Sequence, residues 1–314
     1  MFGLKTTHGL VSRDGVVPLA LSFDTVGPLA RSTYDIAAAL TVMAGIDPDD
    51  DATLKGAGRA SADYTQFLKP GALKGARIGI ARDFFGKDAE IDAVLEKAIV
   101  KLRELGAIII EDVRIPAPVL AARGPLYNTI RSAEFKAQIA DYLATTDSKY
   151  PKTIYDLARL ANDPATGYRS SGKAIGLKYQ AETALSVSDP VYLSAKTDGL
   201  DYIRNAMEGV YANYHLQALL YPTSPMPVSL IAPPPSAPSE GTSSPLNIAN
   251  LTGFPDLVIP AGMSPRGLPV TFSLMGRAFT EGRLLALAYD YEQATKALRL
   301  PVNTPVLPTD TLAP

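Results

Sequence analysis

The stretch over residues 77–113 constrains the fold more than any other. ARIGIAR is a short apolar strand. After it, Ile91, Val94, Leu95, Ala98, Ile99, Leu102 and Leu105 recur at spacings of three and four, which predicts an amphipathic helix of period 3.6. Gly106 stops that helix, and AIIIEDV follows as a second strand that reads as buried. Strand, helix and strand within 37 residues form a βαβ unit, which forces two parallel strands and a crossover helix. The expectation is an α/β fold with a β-sheet covered by helices. No G-x-G-x-x-G follows the first strand, so a dinucleotide site is not expected.

The rest of the 314 residues fits around that unit, as two domains or as one large α/β domain with an insertion. Residues 9–30 carry Gly and Pro between short apolar pieces and read as short strands and tight turns. Ser32 reads as an N-cap, with Asp35 three residues on, for the helix YDIAAALTVMAG, and Gly45 reads as its C′ residue. The acidic run DPDDD, Asp47 to Asp51, lacks EF-hand spacing and reads as a solvated loop. Residues 126–218 read as mostly helical, broken near Pro151, Pro164 and Pro190, with the best helix from Leu200 to Leu216. ALLYPTSP is a buried strand that runs into the Pro/Ser/Gly-rich residues 222–245, which read equally as a linker or as a loop over a pocket mouth. DLVIPAG and LPVTFSLM flank the turn SPRG as a hairpin, and a last amphipathic helix runs through Leu284, Leu287, Ala288, Tyr291 and Leu298.

Composition excludes several kinds of chemistry. There is no cysteine, which removes disulfides, thiolate metal sites and a cysteine nucleophile. A net charge of −2 offers no basic footprint for nucleic acid. No apolar run is long enough to span a membrane and no signal peptide is visible, so cytoplasmic is the default compartment. The two histidines, His8 and His215, read as a satisfied turn histidine and a packing or helix-boundary histidine. Ser170, Ser171 and Lys173 have the residue types of serine–lysine acyl transfer, but they fall in a polar connector that predicts exposure and an ordinary protonated amine. Asp24, Asp35 and Glu281 are the acids set near apolar segments, and Asp24 reads as an Asx-turn residue. No catalytic set and no metal site emerges from the residues themselves.

Four stretches carry a resemblance. The run from Gly3 to Gly45, GLKTTHGLVSRDGVVPLALSFDTVGPLARSTYDIAAALTVMAG, is similar to the stretch that follows the catalytic loops in the amidase signature family. NIANLTGFPDLVIPAG and GLPVTFSLMGRAFTEGRLLALAYDYEQAT resemble that family's C-terminal pair, and ALLYPTSP its strand and Pro-Thr loop. The resemblance spans essentially the whole chain, strongest over residues 3–47 and 247–295 and weakest over 120–240. It implies an α/β/α fold with a mixed sheet, and hydrolysis of carboxylic amides, sometimes esters, by a serine–cis-serine–lysine triad without metal or cofactor.

In the family, the lysine, the Gly/Ser-rich loop and the nucleophile precede the stretch similar to GLKTTHG, so no residue here is assigned a catalytic role. The expectation is therefore a hydrolase sequence lacking its N-terminal portion, poorly soluble alone, self-associating, or paired with the missing segment. Residues 1–70 would be the remainder of the core, 71–220 the βαβ unit and a helical region shaping the pocket, and 221–314 the Pro-rich loop, hairpin and returning helix. By the same resemblance Thr223, Ser224 and Asn250 are candidate substrate contacts for a small amide or ester, while Asp24 and Thr25 match a structural motif. Two alternatives stand beside this reading: an inactive remnant acting as an interaction module, and one component of an amidotransferase that needs companions.

Overall fold

A computed structural model describes residues 1–228, 245 and 247–299. At its centre is a seven-stranded mixed sheet in the order β2-β1-β6-β7-β5-β3-β4. The strands are β1 (Phe2–Lys5), β2 (Leu29–Ala30), β3 (Arg77–Ala81), β4 (Ile108–Val113), β5 (Ala218–Pro222), β6 (Asp256–Met263) and β7 (Pro269–Met275). β3 runs parallel to both β4 and β5, while the β5–β7, β7–β6, β6–β1 and β1–β2 pairs are antiparallel. The βαβ unit thus forms one end of the sheet and the hairpin its middle.

Alternation along the strands sorts the sheet into two faces. Leu4, Leu257, Ile259, Phe272, Leu274, Leu220, Ile78 and Ile80 meet α1 (Thr33–Met43), α2 (Ala89–Glu104) and α9 (Glu281–Thr295) in one core. Leu219, Tyr221, Met275 and Val113 meet α3 (Ala117–Ala144), α7 (Leu200–Tyr214) and α8 (Asn247–Thr252) in the other. α2 buries Ile91, Val94, Leu95, Ala98, Ile99 and Leu102, the residues its periodicity marks. α4 (Ile154–Asn162) and α5 (Ser171–Thr183) pack on α3 around a small separate core of Ile139, Leu143, Ile154, Ala158 and Ala181. Pro190 opens the short α6 (Pro190–Ser194), which a π-turn over Ala195–Gly199 joins to α7.

Several expectations need correction. Residues 9–28 hold turns rather than strands, with only Val11 bridging to Ala44, because Gly and Pro punctuate coil as readily as strand ends. β4 is an edge strand with Ile108 exposed, since nothing pairs beyond it among the described residues. Ser32 does cap α1, its Oγ accepting from the Asp35 N–H at 3.0 Å, but the helix closes on extended Ala44, so Gly45 is not a left-handed C′ residue. The acidic loop is not uniformly solvated: Asp50 is buried against Arg13. Ser171 and Lys173 lie in the first turn of α5, not in a connector, and are exposed as expected. Most of the Pro-rich stretch lies outside the described residues.

Candidate functional site

Past the Lys5 end of β1 the chain forms the wall of an open cavity of about 730 Å³. The turn after β1 supplies Thr7 and His8, and the turn after α8 supplies Gly253 and Phe254. The two are tied together, His8 donating its backbone N–H to the Gly253 carbonyl at 3.0 Å. Thr7 is fixed from the other side: its N–H donates to Glu281 Oε1 at 2.7 Å, and its Oγ1 accepts from the Phe279 N–H at 2.8 Å. Two glycines bring a third wall onto this floor. A Cβ on Gly9, whose φ is +88°, would lie 2.2 Å from the Ala52 carbonyl oxygen, and one on Gly56 would lie 2.7 Å from the Gly9 carbonyl oxygen. Only because both are glycine can the 3₁₀ turn Asp51–Gly56 sit directly on the turn that carries His8.

The charged groups around the cavity are largely paired. Arg13 holds Asp50 through Nε at 2.8 Å and Nη2 at 2.5 Å, keeping that carboxyl far below the usual carboxylate range. Arg204 donates to Asp201 Oδ1 at 2.8 Å and to the Thr252 carbonyl at 3.2 Å. Glu208 pairs with Arg277. Lys196 lies 3.2 Å from the fully buried Glu134, which also accepts from the Ser22 N–H at 2.9 Å and the Tyr192 hydroxyl at 2.9 Å. Burial alone would raise the Glu134 pKa; the Ser22 and Tyr192 hydrogen bonds and the Lys196 charge outweigh it and lower it. His8 Nε2 lies 2.9 Å from the Leu21 carbonyl oxygen and 3.2 Å from Arg13 Nη1. Burial, then the charges of Arg13, Lys55 and Lys5, lower its pKa to about 4 against the Leu21 hydrogen bond, so it is neutral at pH 7.

The hydroxyls on the wall are engaged as well. Ser22 donates to Glu134, Thr197 to the Leu193 carbonyl at 2.8 Å and Thr252 to the Ile248 carbonyl at 2.8 Å, while Thr7 accepts from Phe279. Among the described residues no wall hydroxyl is hydrogen-bonded to a lysine or histidine base, so the cavity offers shape and charge rather than an activated nucleophile.

From the cavity a polar stripe runs under α8 along one face of the sheet. Lys5 Nζ donates to the Phe254 carbonyl at 2.9 Å; burial lowers its pKa to about 8 against the nearby Asp256 and Glu281. Asp256, paired with Lys5 across the β1–β6 ladder, is buried and accepts from the Tyr221 hydroxyl. Its Oδ1 has no hydrogen-bond partner among the described residues. Burial raises the Asp256 pKa over the opposing Tyr221 and Ser273 hydrogen bonds and the Lys5 charge. Ser273 Oγ lies 3.2 Å from Thr223 Oγ1 at the far end of the stripe.

That stripe locates the residues singled out in the sequence. Thr223 and Ser224 follow β5, and Thr223 bonds to the Thr271 carbonyl through its N–H, about 13 Å along the strands from the Lys5 end. Ser224 is exposed and donates to the Met226 carbonyl at 2.6 Å. Asn250 is half-buried in α8, next to Leu251 and Thr252 of the cavity wall, but none of the three candidates is itself among the described residues lining the cavity. Asp24 has a structural role, although it accepts from the preceding Leu19 and Ala20 N–H groups at 2.8 and 2.9 Å. His215 caps α7 in the left-handed conformation. Sequence reasoning missed Asp256, whose signal was an acid opening an apolar run, and the cavity cations, which no local pattern joins. Among the described residues no cluster of His, Cys, Asp and Glu could hold a metal ion, and no helix is long and apolar enough to cross a membrane.

Comparison with known proteins places the architecture. Over 310 residues the chain is 34% identical to a glutamyl-tRNA(Gln) amidotransferase subunit of Caldanaerobacter subterraneus subsp. tengcongensis, covering 94% of this chain and 59% of that protein. The corresponding protein of Moorella thermoacetica is 35% identical with the same coverage. Among solved structures, native peptide amidase from Stenotrophomonas maltophilia superposes with a TM-score of 0.81 at 34% identity, covering 95% of this chain and 59% of that one. The chain thus spans about 59% of the length of the relatives it matches. The family model described as Amidase matches residues 1–285, and the chain belongs to the amidase family.

Proposed function

We propose that these residues form the substrate-holding side of an enzyme that cleaves a carboxylic amide C–N bond with water. The observation that carries this reading is the cavity itself. Its floor joins Thr7 and His8 of GLKTTHG to Leu251, Thr252, Gly253 and Phe254 of NLTGF, two segments of strong family resemblance, with residues 51–55 and 196–208 closing the sides, and its hydroxyls are held by other groups. In the family chemistry a serine hydroxyl attacks the carbonyl, a lysine takes the proton through a second serine, and the amine leaves carrying that proton; water then releases the acid. No residue described here is assigned to those positions, and the role proposed for these residues is to hold and orient. Asn250, beside Leu251 and Thr252 of the wall, is proposed as a polar contact at the cavity rim, and Thr223 and Ser224, at the far end of the stripe, as contacts for a substrate long enough to extend along it. A small amide or ester is the proposed substrate and the cytoplasm the proposed compartment. A second reading, favoured by the identity to the amidotransferase relatives, has the released ammonia passed to a companion protein.

The test joins ahead of Met1 the segment that the similar peptide amidase carries ahead of its own matching stretch. The expected result is amide hydrolysis that disappears when the grafted serine is replaced. A folded fusion with no turnover on any of a panel of peptide amides, simple amides and glutamine would contradict the reading.

A further inference from the structure

We propose that the cavity selects a ligand bearing a negative charge, with the Lys55 ammonium as the selecting group and Lys196 as its support. This rests on the reading of the cavity as a substrate site and names the class of substrate it favours.

The position of Lys55 is fixed by backbone packing. It belongs to the 3₁₀ turn that Gly9 and Gly56 allow onto the cavity floor, and its Cβ lies 3.6 Å from where a Cβ on Gly9 would stand. The other basic groups on the wall are paired: Arg13 with Asp50, Arg204 with Asp201 and Lys196 with Glu134. Lys55 makes no hydrogen bond or ion pair among the described residues. Asp51, the wall acid without a basic partner there, is exposed and belongs to the same turn. Burial and then the charges of Arg204, Arg13 and Lys196 lower the Lys55 pKa, with Asp50 opposing, so its surroundings disfavour the cation until an anion arrives. A carboxylate entering between Lys55 and Lys196 would relieve that excess. An uncharged ligand of the same size would not, and the difference should weaken with salt.

The experiment titrates the full chain, observed by NMR at low ionic strength, with three probes of one length: succinamate, which carries an amide and a carboxylate; succinamide, which is uncharged; and succinate, which has charge without an amide. Succinamate is expected to bind about five- to tenfold more tightly than succinamide, a difference of about 1 to 1.4 kcal/mol. Lys55→Gln should bring the ratio close to one, Lys55→Arg should keep it, and Lys55→Glu should reverse it. Lys178→Gln, on the exposed face of α5, should leave it unchanged. Equal binding of the two amides by the native chain, or a ratio that survives Lys55→Gln, would overturn the proposal. A Lys55-dependent preference for succinamate that holds while the peptide-amidase fusion turns over no amide would uphold charge selection and contradict the amide-hydrolase reading, so the two can fail separately.

Discussion

Arg13 and Asp50 show why a single ion pair can matter in this molecule. Both side chains are only 8% exposed, so removing the guanidinium strands a buried carboxylate. Arg13→Met is expected to destabilise the fold by about 3 to 5 kcal/mol, read from urea unfolding at pH 7. A loss of a few tenths would mean that Asp50 finds another partner or water. The neighbouring His8 gives this corner a pH dependence. Its pKa is lowered in the fold from 6.5 to about 4, so the unfolded chain takes up a proton first. The stability it contributes is complete above pH 6.5 and is lost as pH falls through the folded value. Asp50, also lowered, acts in the same direction at still lower pH. Asp256, raised by burial, acts in the opposite direction: its contribution is present below its unfolded value and is lost as pH rises through its folded one. His8→Gln should therefore remove the loss of stability between pH 6.5 and about 4 and leave the more acid limb; an unchanged profile would contradict a half-buried His8 held neutral.

At the scale of elements, much was legible. The βαβ unit declared itself because α2 has a clean apolar face and both flanking strands are apolar runs, and the hairpin because SPRG separates two such runs. What failed was context. IIIE reads as a buried strand, yet its place at the sheet edge exposes Ile108, and nothing local says which strand is last. Residues 9–28 use the same Gly and Pro signals that strands use at their ends. Their real constraint is steric, since Gly9 must admit Ala52 and Gly27 must admit Leu4. This gives a paired prediction. Gly9→Ala forces a Cβ to 2.2 Å from a carbonyl oxygen at φ +88° and should cost at least about 2 kcal/mol. Gly15→Ala has open space at φ +72° and should cost about 1 kcal/mol. Equal losses in thermal melts would show that the 51–56 turn yields easily, and with it the fixed position of Lys55.

At the scale of the whole molecule, one sheet draws its strands from both ends of the chain and from its middle, so β1 pairs with β6 only after some 250 residues have been placed. This explains why the candidate site was hardly visible in the sequence. Thr7, Lys55, Lys196 and Phe254 are brought together by the sheet and its covering helices, and no spacing rule links them. The resemblance to the family implies a class of chemistry, and the cavity is where the proposed function puts its substrate. These residues are proposed to hold a substrate without supplying a nucleophile. The most direct measurement is intact-mass analysis of the purified chain after treatment with a serine-reactive fluorophosphonate, with amide hydrolysis followed in parallel. The predicted result is an unlabelled protein and no turnover. A single labelled serine together with turnover would contradict that role, and the labelled peptide would name the nucleophile.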